Sequence, residues 1–288
     1  MRTFLRAHWK AIVAILLLIV LAMATVSPSA AMPDPSLAAR LRTHVSAIGA
    51  GERNTAMPQA PEQAAAYIQD VLGSEGYRIR RQADQAGGHT VRSIEVSVAN
   101  VAAGAQPARI FIIGARYDST PGAPGANDDG SGTAAVLELA RLLKSMRPSQ
   151  GTEVRFVFFV NREPPWLQGE DMGLEQRYPE TGNFIAFVGT LASSRLAQEA
   201  LSAFQARSDF PARGLAAPAY VQGVTLSDRS AYDRFGYPAI MITDTAFMRY
   251  PYYHTAEDTP DKPDYGSMAR VVEGLARTIT ALAAGARA

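Results

Sequence analysis

The chain has 288 residues, 47% of them hydrophobic and 19% charged, with a formal net charge of +1. That suffices for one sizeable domain with a buried core, and the near-neutral balance argues against the basic surface a nucleic-acid partner requires. Cysteine is absent, which excludes disulfides and thiolate metal sites and leaves carboxylates and imidazoles as the ligands for any metal.

The N-terminus reads as a targeting segment. Arg2, Arg6 and Lys10 precede an apolar run from Ala11 to Val26, followed by Ser27-Pro28-Ser29-Ala30-Ala31. A basic flank, an apolar run and small residues make an export signal, with cleavage expected after Ala31. An uncleaved signal-anchor fits the same flanks: the run is slightly short of a full span, and Trp9 and the small residues after the run extend it. Both readings leave residues 33–288 as one domain outside the cytoplasm, either anchored to the membrane and facing the periplasm or exterior, or released.

Apolar positions Leu37, Leu41, Val45 and Ile48 predict a helix from Pro35 to Ala50. A second helix is expected from Pro61, a favoured first-turn residue, with Ala65, Ile68, Val71 and Leu72 inward. Tyr77–Arg81 and Ser93–Val98 alternate as half-buried strands around a Gly87-Gly88 turn. Arg109–Ala115 contains Ile110-Phe111-Ile112-Ile113 and predicts a strand buried on both faces. A loop rich in glycine and aspartate leads into a helix from Gly132 to Leu143. Further strands are expected at Val154–Val160, Phe184–Val188 and Ala239–Thr243, and further helices at Ser193–Ala206, Ser230–Phe235 and Met268–Ala284. Apolar strands alternating with helices predict a three-layer α/β sandwich: a mostly parallel central sheet with helices on both faces.

In such sheets, ligand groups gather on loops at the carboxyl ends of the strands. Arg116 and Asp118 end one strand, Arg162 and Glu163 end the next, Asp128 lies between, and His254 follows the last strand. Asp128, Glu163 and His254 form a carboxylate-carboxylate-imidazole set that suits a catalytic zinc with an open water position. Taken alone, Asn127-Asp128-Asp129-Gly130 is also a turn sequence that needs no metal, and Arg162 and Arg229 also suit a solvated surface.

The motifs carry a resemblance. Gly114-Ala115-Arg116-Tyr117-Asp118-Ser119, Gly125-Ala126-Asn127-Asp128-Asp129-Gly130-Ser131-Gly132, Asn161-Arg162-Glu163-Pro164-Pro165, Tyr237-Pro238-Ala239-Ile240-Met241-Ile242-Thr243-Asp244-Thr245 and Tyr253-His254-Thr255-Ala256-Glu257-Asp258-Thr259 stand in this order. From about Leu41 to Leu275 the chain resembles the di-zinc aminopeptidases, a family that includes the glutaminyl cyclases. The resemblance implies a zinc-exopeptidase fold of the phosphorylase/hydrolase-like kind. It also implies that the residue matching Asp128 bridges two zinc ions, and that those matching Glu163 and His254 complete one site. The other site would use a histidine where Arg116 stands and a carboxylate on a later strand. Asp118 takes an orienting position, and the general base would stand where Arg162 is.

The departures fall on that chemistry. A guanidinium has no free lone pair, so Arg116 cannot ligate zinc and Arg162 cannot take a proton from zinc-bound water. Arg229 replaces a histidine that the resembling sequences often carry beside the pocket. Only Leu174–Gly182 separates Gly173 from Asn183, so the strand that family members place there, with its carboxylate ligand, is expected to be deleted. Glu175 is the candidate remnant, and Glu170 or Asp171 the candidates to reach the water position. Arginine supplies a fixed positive charge to carboxylates built to face cations. We therefore expect Arg116 to pair with Asp128, Glu163 or Asp118. The functional expectation is an exported exopeptidase homologue with lost or strongly impaired activity, a pseudoenzyme that binds a partner or serves structure. The alternative is a mono-zinc aminopeptidase or glutaminyl-cyclase-like enzyme using Asp128, Glu163 and His254 on peptide N-termini.

Overall fold

Burial of the four apolar positions predicted for the first helix is complete: Leu37, Leu41, Val45 and Ile48 all lie in the core, on α1, Pro35–Ile48. The computed structural model describes residues 35–54, 59–86, 89–160, 182–219, 221, 224 and 229–285, without the side chains of 35, 84–86, 89, 229 and 230. All of them fall within the unit Pro33–Ala288.

Helix α2, Gln59–Ser74, starts slightly before Pro61 and buries Ala65, Ile68 and Leu72. Strands β1, Arg80–Ala86, and β2, His89–Asn100, form an antiparallel hairpin with Ala86 opposite His89. β1 therefore begins three residues later than the alternation at Tyr77 suggests. β3 is Arg109–Arg116, α3 is Gly132–Leu142 and β4 is Thr152–Phe159. After the segment 161–181, which lies outside the described residues, come β5, Ile185–Thr190, α4, Ser194–Gln205, and β6, Ala212–Ala217. The chain continues with α5, Arg229–Arg234, β7, Ile240–Thr243, α6, Ala246–Arg249, and α7, Tyr265–Ala283. Asp264 caps α7 by accepting from the amides of Gly266 and Ser267.

The described strands form two mixed sheets, ordered β1-β2-β4-β3 and β6-β5-β7. β3 pairs with β4 and β5 pairs with β6 in parallel, each across a helical crossover, α3 in the first case and α4 in the second. β1–β2, β2–β4 and β5–β7 are antiparallel. Helices α1, α3, α4 and α7 pack on one another and on these strands around a core that includes Phe156, Phe158, Phe187 and Phe204. The α/β class is the one that the alternation of strands and helices predicts; the expected mostly parallel sheet is instead mixed, since three of the five pairings among the described strands are antiparallel.

Three strands differ from the sequence reading. β3 is not buried on both faces: Phe111 and Ile113 pack against the core, whereas Ile110 and Ile112 remain 42% and 40% exposed. It ends the order of its sheet, so only one flank has a strand neighbour among the described residues. β7 ends the other sheet and is only partly buried for the same reason. β6, with sequence Ala212-Arg213-Gly214-Leu215-Ala216-Ala217, lacks β-branched residues, which left no strand signal; its pairing with the fully buried β5 makes it a strand. The expected strand deletion before Asn183 falls in 161–181, outside the described residues. Among those described, no helix is long and apolar enough to cross a membrane; the Ala11–Val26 run is not among them.

Candidate functional site

Arg116 is the last residue of β3, and the parallel ladder with β4 delivers its side chain to the carboxyl end of that pair. Its backbone is held on both sides: the amide donates to Asp129 Oδ2 at 3.2 Å, and the carbonyl accepts from Thr133 Oγ1 at 2.6 Å. The guanidinium Nη1 donates to the Asp118 carbonyl at 3.0 Å, and Nη2 donates to Asp128 Oδ1 at 2.6 Å. The two side chains are 12% and 18% exposed, so the pair is largely removed from solvent screening. Of the three partners expected for Arg116, the structure shows Asp128 through its carboxylate and Asp118 through its backbone.

Asp128 lies in a tight turn, Ala126–Ser131, that opens from Gly125 at φ 63° and runs directly into α3. Its second carboxylate oxygen, Oδ2, stands 2.9 Å from Nε2 of His254. Burial opposes the charge of Asp128, but the Arg116 guanidinium and the His254 ring outweigh it and hold the carboxyl below the usual range. His254 adopts a left-handed backbone at φ 56°, rare for a non-glycine residue, and its ring stacks on Tyr253 at 3.9 Å. Arg116, Asp118, Asp128 and His254 are thus brought together as their motifs predict. Arg162 and Glu163, and with them Glu170, Asp171 and Glu175, lie outside the described residues. Arg229 opens α5, with its side chain outside the described set. His44 is bound to Tyr67 and Glu138.

Two charged residues whose role the sequence did not reveal shape the turn. Arg53 is 3% exposed and donates to four carbonyls: those of Gly51, Tyr117, Pro124 and Gly125. Burial, then the nearby Arg116 charge, lowers its pKa to about 10. Gly49 lets its segment pass the site turn, since a Cβ there would stand 2.8 Å from Ala126 Cα. Asp258, fully buried, accepts from the amides of Asn127 at 2.8 Å and Asp128 at 3.1 Å and from the Tyr250 hydroxyl at 2.9 Å. Asn127 also donates to Asp244, at 3.2 Å. Asp258 stands four residues after His254, inside the same motif, where the resemblance implies no role for it. Nothing local marks Arg53.

The donor set decides which metal positions fit. Two ligands of one tetrahedral zinc, each about 2.0–2.1 Å from the ion, stand about 3.3 Å apart. Asp128 Oδ2 and His254 Nε2, 2.9 Å apart, are close to that geometry and of the right chemistry. On the Oδ1 side a guanidinium nitrogen stands at 2.6 Å, and that group cannot ligate. Among the described residues, no three histidine or carboxylate side chains gather to hold an ion.

Residues 97–279, more than half of the chain, match the family model described as Peptidase family M28. The chain belongs to this family. It is 31% identical to the uncharacterized protein YfbL of Escherichia coli strain K12, over 74% of this chain and 78% of that protein. A shorter stretch of 54 residues is 56% identical to aminopeptidase YwaD of Bacillus subtilis, 11% of whose length it spans. The fold is similar to that of a zinc aminopeptidase from Bacillus subtilis, with a TM-score of 0.67, 14% identity, and coverage of 85% of this chain and 95% of that one. It is also similar to the glutaminyl cyclase of Fimbriiglobus ruber, with a TM-score of 0.63, 21% identity, and coverage of 88% and 99%. An M28 scaffold therefore carries the Arg116–Asp128–His254 cluster.

Proposed function

We propose that this M28 protein has lost, or retains only in strongly impaired form, the peptidase chemistry of its family, and acts on the outer side of the cytoplasmic membrane as a binding or structural protein. The observation that carries the proposal is the 2.6 Å contact between Arg116 Nη2 and Asp128 Oδ1. Relatives named as zinc enzymes supply the expectation of a divalent cation, and the motif resemblance assigns it to this carboxylate; here a side chain with a permanent charge takes one face of that group. Arg162 adds to the case from sequence, since a guanidinium cannot act as a general base. Peptide N-termini are the ligand class that the family's aminopeptidases suggest. Export rests on the residue order of the first 31 positions.

A second reading, a mono-zinc enzyme, has one observation in its favour: Asp128 Oδ2 and His254 Nε2 face each other at 2.9 Å, with Glu163 as the third ligand that this reading requires. Metal content separates the two. After exhaustive dialysis against metal-free buffer, elemental mass spectrometry of the domain from Pro33 is expected to find no zinc in folded protein. About one zinc per chain, together with release of the N-terminal residue from test peptides, would overturn the first reading in favour of the second.

A further inference from the structure

A peptide turn with consecutive amides pointing inward is an anion trap, and the turn that carries Asp128 has three. The Ala126 amide donates to the Asp258 backbone carbonyl at 3.1 Å, the Asn127 amide to Asp258 Oδ1 at 2.8 Å, and the Asp128 amide to Asp258 Oδ2 at 3.1 Å. One residue therefore captures all three. Its carboxylate has no measurable exposure, and a buried charge of that kind persists only where hydrogen bonds satisfy it. Tyr250 adds a third donor to the carboxylate, and burial followed by this hydrogen bond to Asp258 pushes the Tyr250 phenol up.

Asp258 also belongs to the turn that presents His254. The Thr255 amide donates to Tyr252 and the Asp258 amide to Thr255, so His254 and Asp258 sit in one hydrogen-bonded run. The opposite side of the Asp128 turn is held by Arg53, whose guanidinium takes the carbonyls of Pro124 and Gly125. The turn is thus gripped by a buried cation on its carbonyls and a buried anion on its amides.

We propose that Asp258 is the positioning residue of this site: it locks the Asp128 turn to the His254 turn, so that the Asp128 carboxylate is fixed between Arg116 and His254 without a metal. This rests on reading Asp128 and His254 as the site, but not on whether zinc binds there. The tests therefore use metal-free protein, and a finding of bound zinc would alter the proposed function and leave this inference standing.

Hydrogen exchange read by mass spectrometry on the chain from Pro33 tests the lock. In Asp258→Ala, peptides covering 125–130 and 250–258 are expected to exchange roughly ten- to hundredfold faster, with β4 and α7 unchanged. Asp258→Asn keeps an acceptor oxygen, serves as the milder variant should Asp258→Ala fail to fold, and is expected to fall between Asp258→Ala and the parent. Exchange at 125–130 that stays at the parent rate would overturn the proposal, and so would a uniform acceleration across the domain. A second measurement addresses positioning as opposed to general support. The stability loss from Arg116→Ala should shrink to roughly half in the Asp258→Asn background, because residues sharing one network are not additive. Strict additivity of the two substitutions would also overturn it.

Discussion

Arg116 is held at four points: amide to Asp129, carbonyl to Thr133, and the two terminal guanidinium nitrogens to Asp118 and Asp128. Such integration gives its replacement a cost. Arg116→Ala leaves a partly buried carboxylate without its guanidinium partner, and we expect a loss of about 1.5–3 kcal/mol at neutral pH, measured by urea unfolding. The pH dependence follows from the sign of the shift. Asp128 titrates below its ordinary value in the folded chain. Its pairing therefore stabilises fully above about pH 4, the unfolded value, and fades as pH falls through the lower folded value. The difference between parent and variant should narrow over that acid range. A difference that stays constant down to pH 3 would show that Arg116 acts through packing and not through charge.

The same logic governs Glu138, on the buried face of α3. It accepts from Arg40, His44 and Arg141 at 2.9, 2.9 and 2.7 Å. Burial opposes its charge, but the hydrogen bonds from His44 and Arg141 prevail and its carboxyl is held below the usual range. Glu138 ties α1 to α3. Glu138→Gln should cost about 1.5–3 kcal/mol at pH 7, fading below about pH 4.3, with no effect on exchange in the 125–130 turn.

At the scale of elements, burial separates substitutions that look alike in the sequence. Leu41 sits fully buried on α1, and Leu41→Ala should cost about 2–5 kcal/mol. Ile112 lies in an equally apolar run but is 40% exposed on β3, and Ile112→Thr should stay within about 1 kcal/mol. Thermal or denaturant unfolding of both variants checks the contrast; equal losses would mean that the exposed flank of β3 is covered in solution. The helices were legible because a 3.6-residue repeat of apolar positions survives any tertiary context that buries one face. The apolar runs of β3 and β7 were legible as strands but not as sheet termini. β6 was silent, since its small residues become a strand only through pairing with β5.

For the molecule as a whole, membership of peptidase family M28 and retention of its chemistry are separate matters. The scaffold brings Asp128 and His254 within 2.9 Å, while Arg116 takes the other oxygen of the same carboxylate. Restoring the missing groups tests whether the ligands alone were lost. Arg116→His with Arg162→Glu is expected to raise zinc stoichiometry in elemental analysis if the scaffold is otherwise competent. A double variant that stays metal-free would point to the expected strand deletion before Asn183 as the deeper defect.

The sequence by itself determined the α/β class, the order of most elements and the residues gathered at the strand ends, because periodicity and motif order are local properties of the chain. It also identified the arginine substitution, since the chemistry of a guanidinium does not depend on its surroundings. Only the tertiary structure decided which acceptor Arg116 takes, that Arg53 and Asp258 hold opposite sides of the Asp128 turn, and that β3 comes last in its sheet among the described strands. The Arg53 contact with Tyr117 and the Asp258 contact with Asn127 join residues 64 and 131 positions apart in sequence, and such contacts arise only once the core has set the elements in place.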